Sequence, residues 1–487
     1  MPATPSHEAP RMTLGRIGFW TGIGLFVLML ASGAPAGLSD KGWITAALTV
    51  LIAFWWFTEA VPVTMTGCLP FLMLPLFGVV KADAVAANYM SPVLFLVLGG
   101  SMVGLAFEKW NLHRRTALFV VRRSSPEPAM LLLSIMAVTA LVSAFVNNSA
   151  TTVMMLPIAT ATLAAVTRTL ETPNPDRNEA NFASAMVVSV AFASNIGGFA
   201  TPIGTPVNPI AIGLIEKNLG VRVTFVEWLG FGLPFVVLGI PLCWWILSRV
   251  TMPFSLPRAD RDAVQAAIGD SGPMTSPERR VVAVVLAASA AWVFQPLLEA
   301  RLPGITDAGI AIAAALLMFV LPSGAAAGKP ARLLEWSDAR RAPFYLILLL
   351  GGGLALADAV VKTGLSAWLG AQMGAVAGLP LLPLLVVISL CCALVTEVAS
   401  NVATATIFMP IAVSLATAGG YDAVGPAMVA GLAASLGFAN PAATSSNALV
   451  FGTGRVRMAD MLRAGLLFDV LGAGLLAVVC YFVLSAA

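Results

Sequence analysis

Residues 143–159, SAFVNNSATTVMMLPIA, are the most informative part of this sequence, because they are largely apolar and carry adjacent asparagines in their middle. The polar cluster Asn147-Asn148-Ser149 lies near the centre of a longer apolar region, 128–168. A helix that simply crosses a membrane gains nothing from amides at mid-depth, since polar groups there are costly unless they line a cavity or a protein interface. We therefore predict a re-entrant helical hairpin over 128–168, with the polar cluster at its tip.

The same pattern occurs a second time. Residues 396–412, TEVASNVATATIFMPIA, align with the first stretch so that Asn401 matches Asn148 and both stretches end in PIA. The surrounding apolar region, 381–418, is interrupted at Ser400 and Asn401. It is therefore predicted to form a second re-entrant hairpin.

A second block of sequence is repeated downstream of each hairpin. Residues 198–208, GFATPIGTPVN, align with residues 437–447, GFANPAATSSN. Pro202, Gly204 and Pro206 cannot continue a helix, because proline removes a backbone donor and glycine loosens the chain. Unwound backbone at membrane depth exposes carbonyl oxygens that can ligate a small hard cation such as sodium. Duplicated halves with broken helices are typical of secondary transporters.

The composition indicates that lipid is the natural solvent of this chain. Of its 487 residues, 59% are hydrophobic and only 10% are charged, whereas a soluble domain carries about 25% charged residues. Besides the two hairpins, apolar stretches of about 20 residues lie near 17–35, 43–62, 64–80, 91–108, 181–215, 225–249, 279–299, 305–321, 342–360, 422–455 and 462–485. The predicted fold class is an all-α polytopic membrane protein with about eleven transmembrane helices plus two re-entrant hairpins in an inverted repeat.

The repeat suggests how such a protein binds its ligands. Each half contributes one hairpin tip and one unwound loop, and each pair could cage a sodium ion with amide, hydroxyl and carbonyl oxygens. Between the cages, amides and hydroxyls could hold a carboxylate, with half-helix N-termini adding partial positive charge. The alternative is that Asn148 and Asn401 only hold helices together. Glu397 could carry a proton, support a sodium site or be structural.

Other classes of protein fit less well. The chain has only two histidines and no metal-ligand spacing among its five cysteines. It contains no GxSxG or HExxH motif and no paired aspartates in its spans, so we predict that it is not an enzyme. Two different tips fit a substrate cage better than the pore of a channel. We expect the lipid bilayer as a partner and no nucleic acid.

Further motifs carry a family resemblance. They are TEAVP at 58–62, Trp336 with Asp338 before the glycines 351–353, and NALVFG at 447–452. With the two tips, they make the chain resemble the divalent anion/sodium symporter (DASS) family, which includes sodium-coupled di- and tricarboxylate carriers. The resemblance covers nearly the whole chain. It implies a homodimer whose subunits each have a rigid scaffold and a transport domain that moves as an elevator.

The resemblance also implies a division of the chain. The predicted segments are 1–16, a cytoplasmic tail; 17–125, scaffold helices of the first half; 126–249, the hairpin and broken helix of the first half (transport domain); 250–278, an inter-half loop; 279–365, scaffold helices of the second half; and 366–487, the hairpin, broken helix and last helix of the second half (transport domain).

By matching position, the resemblance implies two sodium sites and one substrate site. The first sodium site would use Ser143, Asn147, Asn148 and the carbonyl of Gly204. The second would use Thr396, Ala399, Asn401 and the carbonyl of Ala443. Substrate contacts would fall on Asn148, Ser149, Thr205, Asn401, Val402 and Thr444.

The tips depart from the usual family pattern, which reads Ser-Asn-Thr twice. The first tip keeps a hydroxyl at its third position, Ser149, but the second has Val402, which cannot form a hydrogen bond through its side chain. Losing one such bond typically costs about 0.5–1.5 kcal/mol. Ser445 and Ser446 could compensate.

We therefore predict a sodium-coupled symporter of a small divalent anion, with a C4-dicarboxylate such as succinate as the first choice and two or more sodium ions as co-substrates. A dicarboxylate exchanger and a sulfate-type oxyanion symporter remain alternatives. The expected location is the inner (cytoplasmic) membrane, as a multi-pass protein.

Overall fold

The computed structural model describes residues 9–168, 176–269, 272–325 and 331–486. Within these ranges the chain is helical and contains no β-strand, only an isolated β-bridge between Pro322 and Arg332. The predicted all-α class is confirmed. The α-helices are Ala9–Ser32, Asp40–Thr58, Val63–Thr66, Leu69–Leu76, Ala82–Tyr89, Pro92–Lys109, Leu112–Val121, Pro128–Ser143, Asn148–Arg168, Arg177–Gly197, Val207–Leu219, Phe225–Trp245, Arg261–Ile268, Ser276–Val293, Gln295–Glu299, Asp307–Val320, Trp336–Ala339, Leu346–Lys362, Leu365–Gln372, Gly374–Ala377, Leu381–Thr396, Asn401–Ala418, Val424–Ala433, Ser445–Phe451 and Met458–Ala486.

Many of these helices suit a bilayer. Among the described residues, eight helices are long and apolar enough to cross a membrane, and two of them are the second arms of the predicted hairpins. The number is nine if Leu346–Lys362 and Leu365–Gln372, bent by 68°, form one broken span. The other predicted spans are shorter or divided helices, because composition alone does not reveal a break. Large apolar side chains such as Trp20 and Phe482 are exposed, as lipid contact requires.

Both predicted hairpins are broken at their polar clusters. In the first hairpin, Pro128–Ser143 and Asn148–Arg168 are separated by four residues. The second of these helices starts there because Asn147 Oδ1 accepts a hydrogen bond from the backbone N–H of Ser149, at 2.9 Å, which satisfies an otherwise orphaned donor. We call residues 144–149 the first tip.

The second hairpin repeats this construction. Leu381–Thr396 and Asn401–Ala418 are separated by residues 397–400, and Ser400 is the N-cap residue, accepting from the N–H of Ala403 at 3.2 Å. We call residues 397–402 the second tip.

The two downstream blocks are unwound, as predicted. Arg177–Gly197 and Val207–Leu219 are separated by residues 198–206, the first linker. Val424–Ala433 and Ser445–Phe451 are separated by residues 434–444, the second linker. Apolar stretches that look continuous in the sequence are therefore each interrupted by an irregular segment.

The chain forms two compact units. Unit I comprises the described residues up to Leu94, with Ile210–Arg222 and Phe344–Ala434. Unit II comprises Phe95–Pro209 and Val223–Pro343, with the described residues from Ser435 onwards. The predicted scaffold and transport domains have other boundaries. Scaffold and transport domains are defined by how they move during transport, so this division of the chain stays a prediction.

Two polar segments, the predicted tail 1–16 and the predicted inter-half loop 250–278, contain helical residues. The first helix begins at Ala9, so residues 9–16 are helical, whereas residues 1–8 of the predicted tail lie outside the described part. The predicted inter-half loop, 250–278, contains the short helix Arg261–Ile268. Helix formation reaches further into both polar segments than the apolar boundaries indicated.

Unit I contains a close helix contact at a glycine and a buried ion-pair cluster. A Cβ atom added to Gly353 would lie 2.8 Å from Thr406 Oγ1, so the two helices touch where glycine leaves room. Nearby, the buried carboxylate of Asp358 forms ion pairs with Lys217, at 3.2 Å, and with Lys362, at 2.9 Å. Pairing of this kind is what allows a carboxylate to be buried.

The centre of unit II is the helix Arg177–Gly197. Every residue from Ser184 to Ala200 is buried, and the helix packs against both arms of the first hairpin and against Ser445–Phe451. Phe192 contacts the ring of Phe438, with centroids 5.1 Å apart. A helix enclosed on all sides can carry polar side chains only if they are hydrogen-bonded. The hydrogen-bond partners of its polar residues therefore need to be identified one by one.

Candidate functional site

The first tip is organised around Asn148. Its side-chain oxygen accepts a hydrogen bond from the hydroxyl of Ser143 at 2.8 Å. Gly198 of the first linker lies directly against it, since a Cβ atom at Gly198 would be 2.6 Å from Asn148 Oδ1. The hydroxyl of Thr201 also donates to the carbonyl of Ala144. The predicted pairing of first tip and first linker is therefore present inside unit II.

The irregular backbone of the first linker is hydrogen-bonded by the side chain of Asn208. Its amide nitrogen donates to the carbonyls of Gly198 at 2.8 Å and Thr201 at 2.7 Å. The hydroxyl of Thr205 accepts from the N–H of Val207 at 3.1 Å and donates to Asn208 Oδ1 at 3.4 Å. One buried asparagine thus replaces the hydrogen bonds that the unwound backbone has lost.

The second linker uses the same device at the aligned positions. Asn447, which aligns with Asn208, donates to the carbonyls of Gly437 at 3.1 Å and Asn440 at 3.2 Å. These residues align with the two acceptors in the first linker. The duplication inferred from sequence is therefore a duplication of hydrogen bonding.

The second tip, in unit I, resembles the first. Thr396 Oγ1 lies 2.9 Å from Asn401 Oδ1, as Ser143 lies beside Asn148, and 2.7 Å from the carbonyl of Ala434. Ala399 and Val402 are buried. The fourth member of the predicted second sodium set, Ala443, belongs to unit II, so that set stays a prediction.

Sequence reasoning missed Asn195. This residue is only 2% exposed and accepts from Asn148 Nδ2 at 3.4 Å. Its own amide nitrogen donates to Thr444 Oγ1 at 3.1 Å and Asn447 Oδ1 at 3.2 Å. It therefore connects the first tip to the second linker. The signal was available, because Asn195 is another amide in a long apolar stretch.

Hydroxyl groups join the first hairpin to the helix Ser445–Phe451. Ser149 Oγ of the first tip lies 2.6 Å from Ser445 Oγ. Ser194 Oγ lies 2.9 Å from Thr152 Oγ1 and 3.2 Å from Ser446 Oγ. Ser445 is therefore beside the tip that carries a hydroxyl. Whether Ser445 replaces the hydroxyl that Val402 lacks in the second tip stays a prediction.

Unit II thus brings together most of the predicted site residues. The first hairpin and the first linker contain Ser143, Asn147, Asn148, Gly204 and Thr205. Ser445 contacts Ser149 of this hairpin, and Thr444 accepts a hydrogen bond from Asn195.

The polar groups of this region are uncharged. Segments 143–149, 194–208 and 437–447 contain no Asp, Glu, Lys or Arg. In the described part of the chain, no group of three His, Cys, Asp or Glu side chains could hold a metal ion. The arrangement therefore combines neutral oxygen atoms, which can ligate a cation, with amide and hydroxyl donors, which can bind an anion.

A family model described as the sodium:sulfate symporter transmembrane region matches residues 19–484. The chain belongs to this family. It is 32% identical, over 96% of its length and 91% of the relative, to the sodium-dependent dicarboxylate transporter SdcS of Staphylococcus saprophyticus. It is 31% identical to the SdcS of Staphylococcus aureus strain USA300, with the same coverage.

A solved structure agrees with the fold. The crystal structure of the YdaH transporter from Alcanivorax borkumensis, described as having an unusual topology, superimposes with a TM-score of 0.58 at 15% identity, covering 97% of this chain and 98% of that one. This likeness concerns the fold alone. Membership in the sodium:sulfate symporter family confirms the predicted resemblance and a transport protein rather than an enzyme.

The two linker asparagines of this family member give a stability prediction. Asn447→Ala should lower the free energy of unfolding by about 2 kcal/mol or more, because it removes the buried amide that donates to the carbonyls of Gly437 and Asn440. Asn208→Ala should have a similar effect. Asn181→Ala is the matched control, because the amide of this buried side chain donates a hydrogen bond to a single carbonyl, that of Pro253. Thermal melting in detergent measures all three, and equal midpoints for Asn447→Ala and wild type would contradict the assignment.

Proposed function

We propose that the protein is a sodium-coupled symporter of a small divalent anion, with a C4-dicarboxylate such as succinate as its first candidate substrate. The observation that carries this proposal is the uncharged cluster of amides and hydroxyls where the first tip meets the two linkers in unit II. The name of the SdcS relatives, sodium-dependent dicarboxylate transporter, supports both the cation and the class of anion.

Sodium is the cation that this chemistry favours. Ser143 Oγ and Asn148 Oδ1 are 2.8 Å apart and could share one ion with the carbonyl of Gly204, since a hard cation prefers oxygen ligands. The proposed first site is Ser143, Asn147, Asn148 and Gly204. The proposed second site is Thr396, Ala399, Asn401 and Ala443. Two or more sodium ions per anion would follow.

The anion would be held by donors rather than by cationic side chains. The N-terminus of Asn148–Arg168 contributes partial positive charge beside the hydroxyl of Ser149. Bound sodium ions would offset the remaining substrate charge, which explains why the site needs no Arg or Lys. The proposed contacts are Asn148, Ser149, Thr205, Asn401, Val402 and Thr444.

The family resemblance supports a wider proposal about mechanism. We propose a homodimer in the inner membrane, with a scaffold and a transport domain that moves as an elevator. The duplicated hairpins and broken helices agree with an alternating-access transporter.

Sodium-dependent ligand binding tests the proposal directly. Purified protein would be melted with succinate, citrate, α-ketoglutarate, aspartate or sulfate, each in sodium and in potassium. We expect succinate to raise the melting temperature only in sodium, because a ligand at a hundred times its Kd stabilises by about 2.7 kcal/mol. Uptake of labelled succinate into proteoliposomes under a sodium gradient would then establish coupling.

A second candidate is a sulfate-type oxyanion symporter, which the description of the family model favours. Stabilisation by sulfate and not by succinate, again only in sodium, would select it. Stabilisation by dicarboxylates in either salt would select the exchanger. No shift with any pair would contradict all three.

A further inference from the structure

The orientation of Asn447 is fixed by its surroundings. It is fully buried, and its side chain donates to the carbonyls of Gly437 and Asn440. Carbonyl oxygens only accept hydrogen bonds, so the amide nitrogen must face them. The side-chain oxygen of Asn447 therefore points the other way, towards Asn195 at 3.2 Å.

The orientation of Asn195 follows from this. Only its amide nitrogen can donate to Asn447 Oδ1, so the nitrogen lies on that side. The same nitrogen donates to Thr444 Oγ1 at 3.1 Å. Its oxygen, on the opposite side, accepts from Asn148 at 3.4 Å. No other placement of the Asn195 amide satisfies all three neighbours.

The hydroxyl of Thr444 can therefore act towards a further partner only as a hydrogen-bond donor. A hydroxyl oxygen has two acceptor positions and one donated hydrogen. Thr444 Oγ1 accepts from the backbone N–H of Asn447 at 3.1 Å, as an N-cap, and from Asn195 at 3.1 Å. Both acceptor positions are occupied. In the described part of the chain, no group accepts the hydrogen.

The aligned threonine in the first linker is different. Thr205 accepts from the N–H of Val207 but donates its hydrogen to Asn208 Oδ1. Asn195 replaces that interaction in the second linker by donating to Asn447 Oδ1 itself. In the repeat, the residue that aligns with Asn195 is Ala434, whose side chain has no hydrogen-bond donor. The two halves therefore differ in the side chain that sets the hydrogen bonds of this threonine.

We infer that Asn195 is a positioning residue for anion binding: it fixes the Thr444 hydroxyl as a hydrogen-bond donor to the transported anion. The inference rests on the proposed function and adds a residue outside the proposed contacts. Without Asn195, the Thr444 hydroxyl can turn to Asn447 Oδ1, as Thr205 turns to Asn208. The second linker then loses its donor and resembles the first.

A double-mutant cycle tests this coupling. Asn195→Ala, Thr444→Val and the double variant would be compared in the apparent Kd for succinate and for sulfate, measured from thermal stabilisation in sodium, and in the sodium concentration for half-maximal effect. Each single variant should weaken the better-bound anion about tenfold or more, as loss of a hydrogen bond to a charged group does. The double variant should be no weaker than either single one. Sodium dependence should stay within about twofold of wild type.

Two controls keep the result interpretable. Asn195→Leu fills the side-chain volume without a donor and replaces the alanine variant if that protein does not fold. Asn181→Ala removes a buried amide from the same helix, away from the site, and should leave anion affinity unchanged.

The outcomes separate the two proposals. Multiplied losses in the double variant, or wild-type anion affinity in Asn195→Ala, would overturn the role of Asn195 while the proposed function stands. A wild-type protein that binds neither anion in sodium would overturn the proposed function, and the inference with it.

Discussion

Asn148→Ala is expected to reduce sodium-driven anion uptake by about 100-fold or more, because the proposed function uses this side chain for both the cation and the anion. Its oxygen lies 2.8 Å from the hydroxyl of Ser143, and its nitrogen donates to Asn195. Alanine removes both. The measurement is initial uptake into proteoliposomes, together with the sodium concentration required for half-maximal uptake.

The protein should still fold without this side chain. Asn148 is partly exposed and lies at the start of a helix that Asn147 caps, so the melting temperature in potassium should change little. Asn178→Ala, an asparagine at a helix start away from the tip, is the matched control and should keep full uptake. Wild-type uptake in Asn148→Ala would remove Asn148 from both proposed sites.

Gly198→Ala is expected to have the second largest effect. The added methyl group would lie 2.6 Å from both Asn148 Oδ1 and Thr205 Cγ2, inside van der Waals contact. Overpacking of this kind costs about 1–3 kcal/mol, and relief requires the first tip and the first linker to separate. Both the melting temperature and sodium-dependent uptake should therefore fall.

Gly230→Ala provides the control for this substitution. Gly230 lies within the helix Phe225–Trp245, and a Cβ atom there would meet nothing within 4 Å. Alanine should be neutral or slightly stabilising at this position, because it is the better helix former. If Gly198→Ala behaved like Gly230→Ala in both assays, close contact between tip and linker would not matter for function.

The sequence alone predicted the broken elements of this protein. Consecutive amides in an apolar stretch and prolines flanking Gly204 are locally incompatible with an uninterrupted span, so hairpins and linkers could be inferred from short windows. The repeat then identified Asn208 and Asn447 as equivalent, and their hydrogen bonds confirm it. The number of spans was harder to predict, because apolar composition does not show where a helix bends.

The residue identities of the first tip and its linker were likewise available from sequence. Ser143 and Asn148 are near neighbours along a single hairpin, so their contact is almost a local property. Asn195 was not found, because its partners Thr444 and Asn447 lie about 250 residues away. Repeat alignment compares the two halves, but it does not reveal contacts that one half makes with the other.

The helical membrane class, the duplicated hairpins and linkers, and the asparagines of the two tips can be inferred from sequence, since each depends on local chemistry in an apolar solvent. Which hydroxyls keep a free hydrogen cannot be inferred in this way and follows from the three-dimensional structure. That property depends on the direction of every hydrogen bond around a buried amide. In unit II, Asn195 sets this direction differently for Thr444 than for its counterpart Thr205.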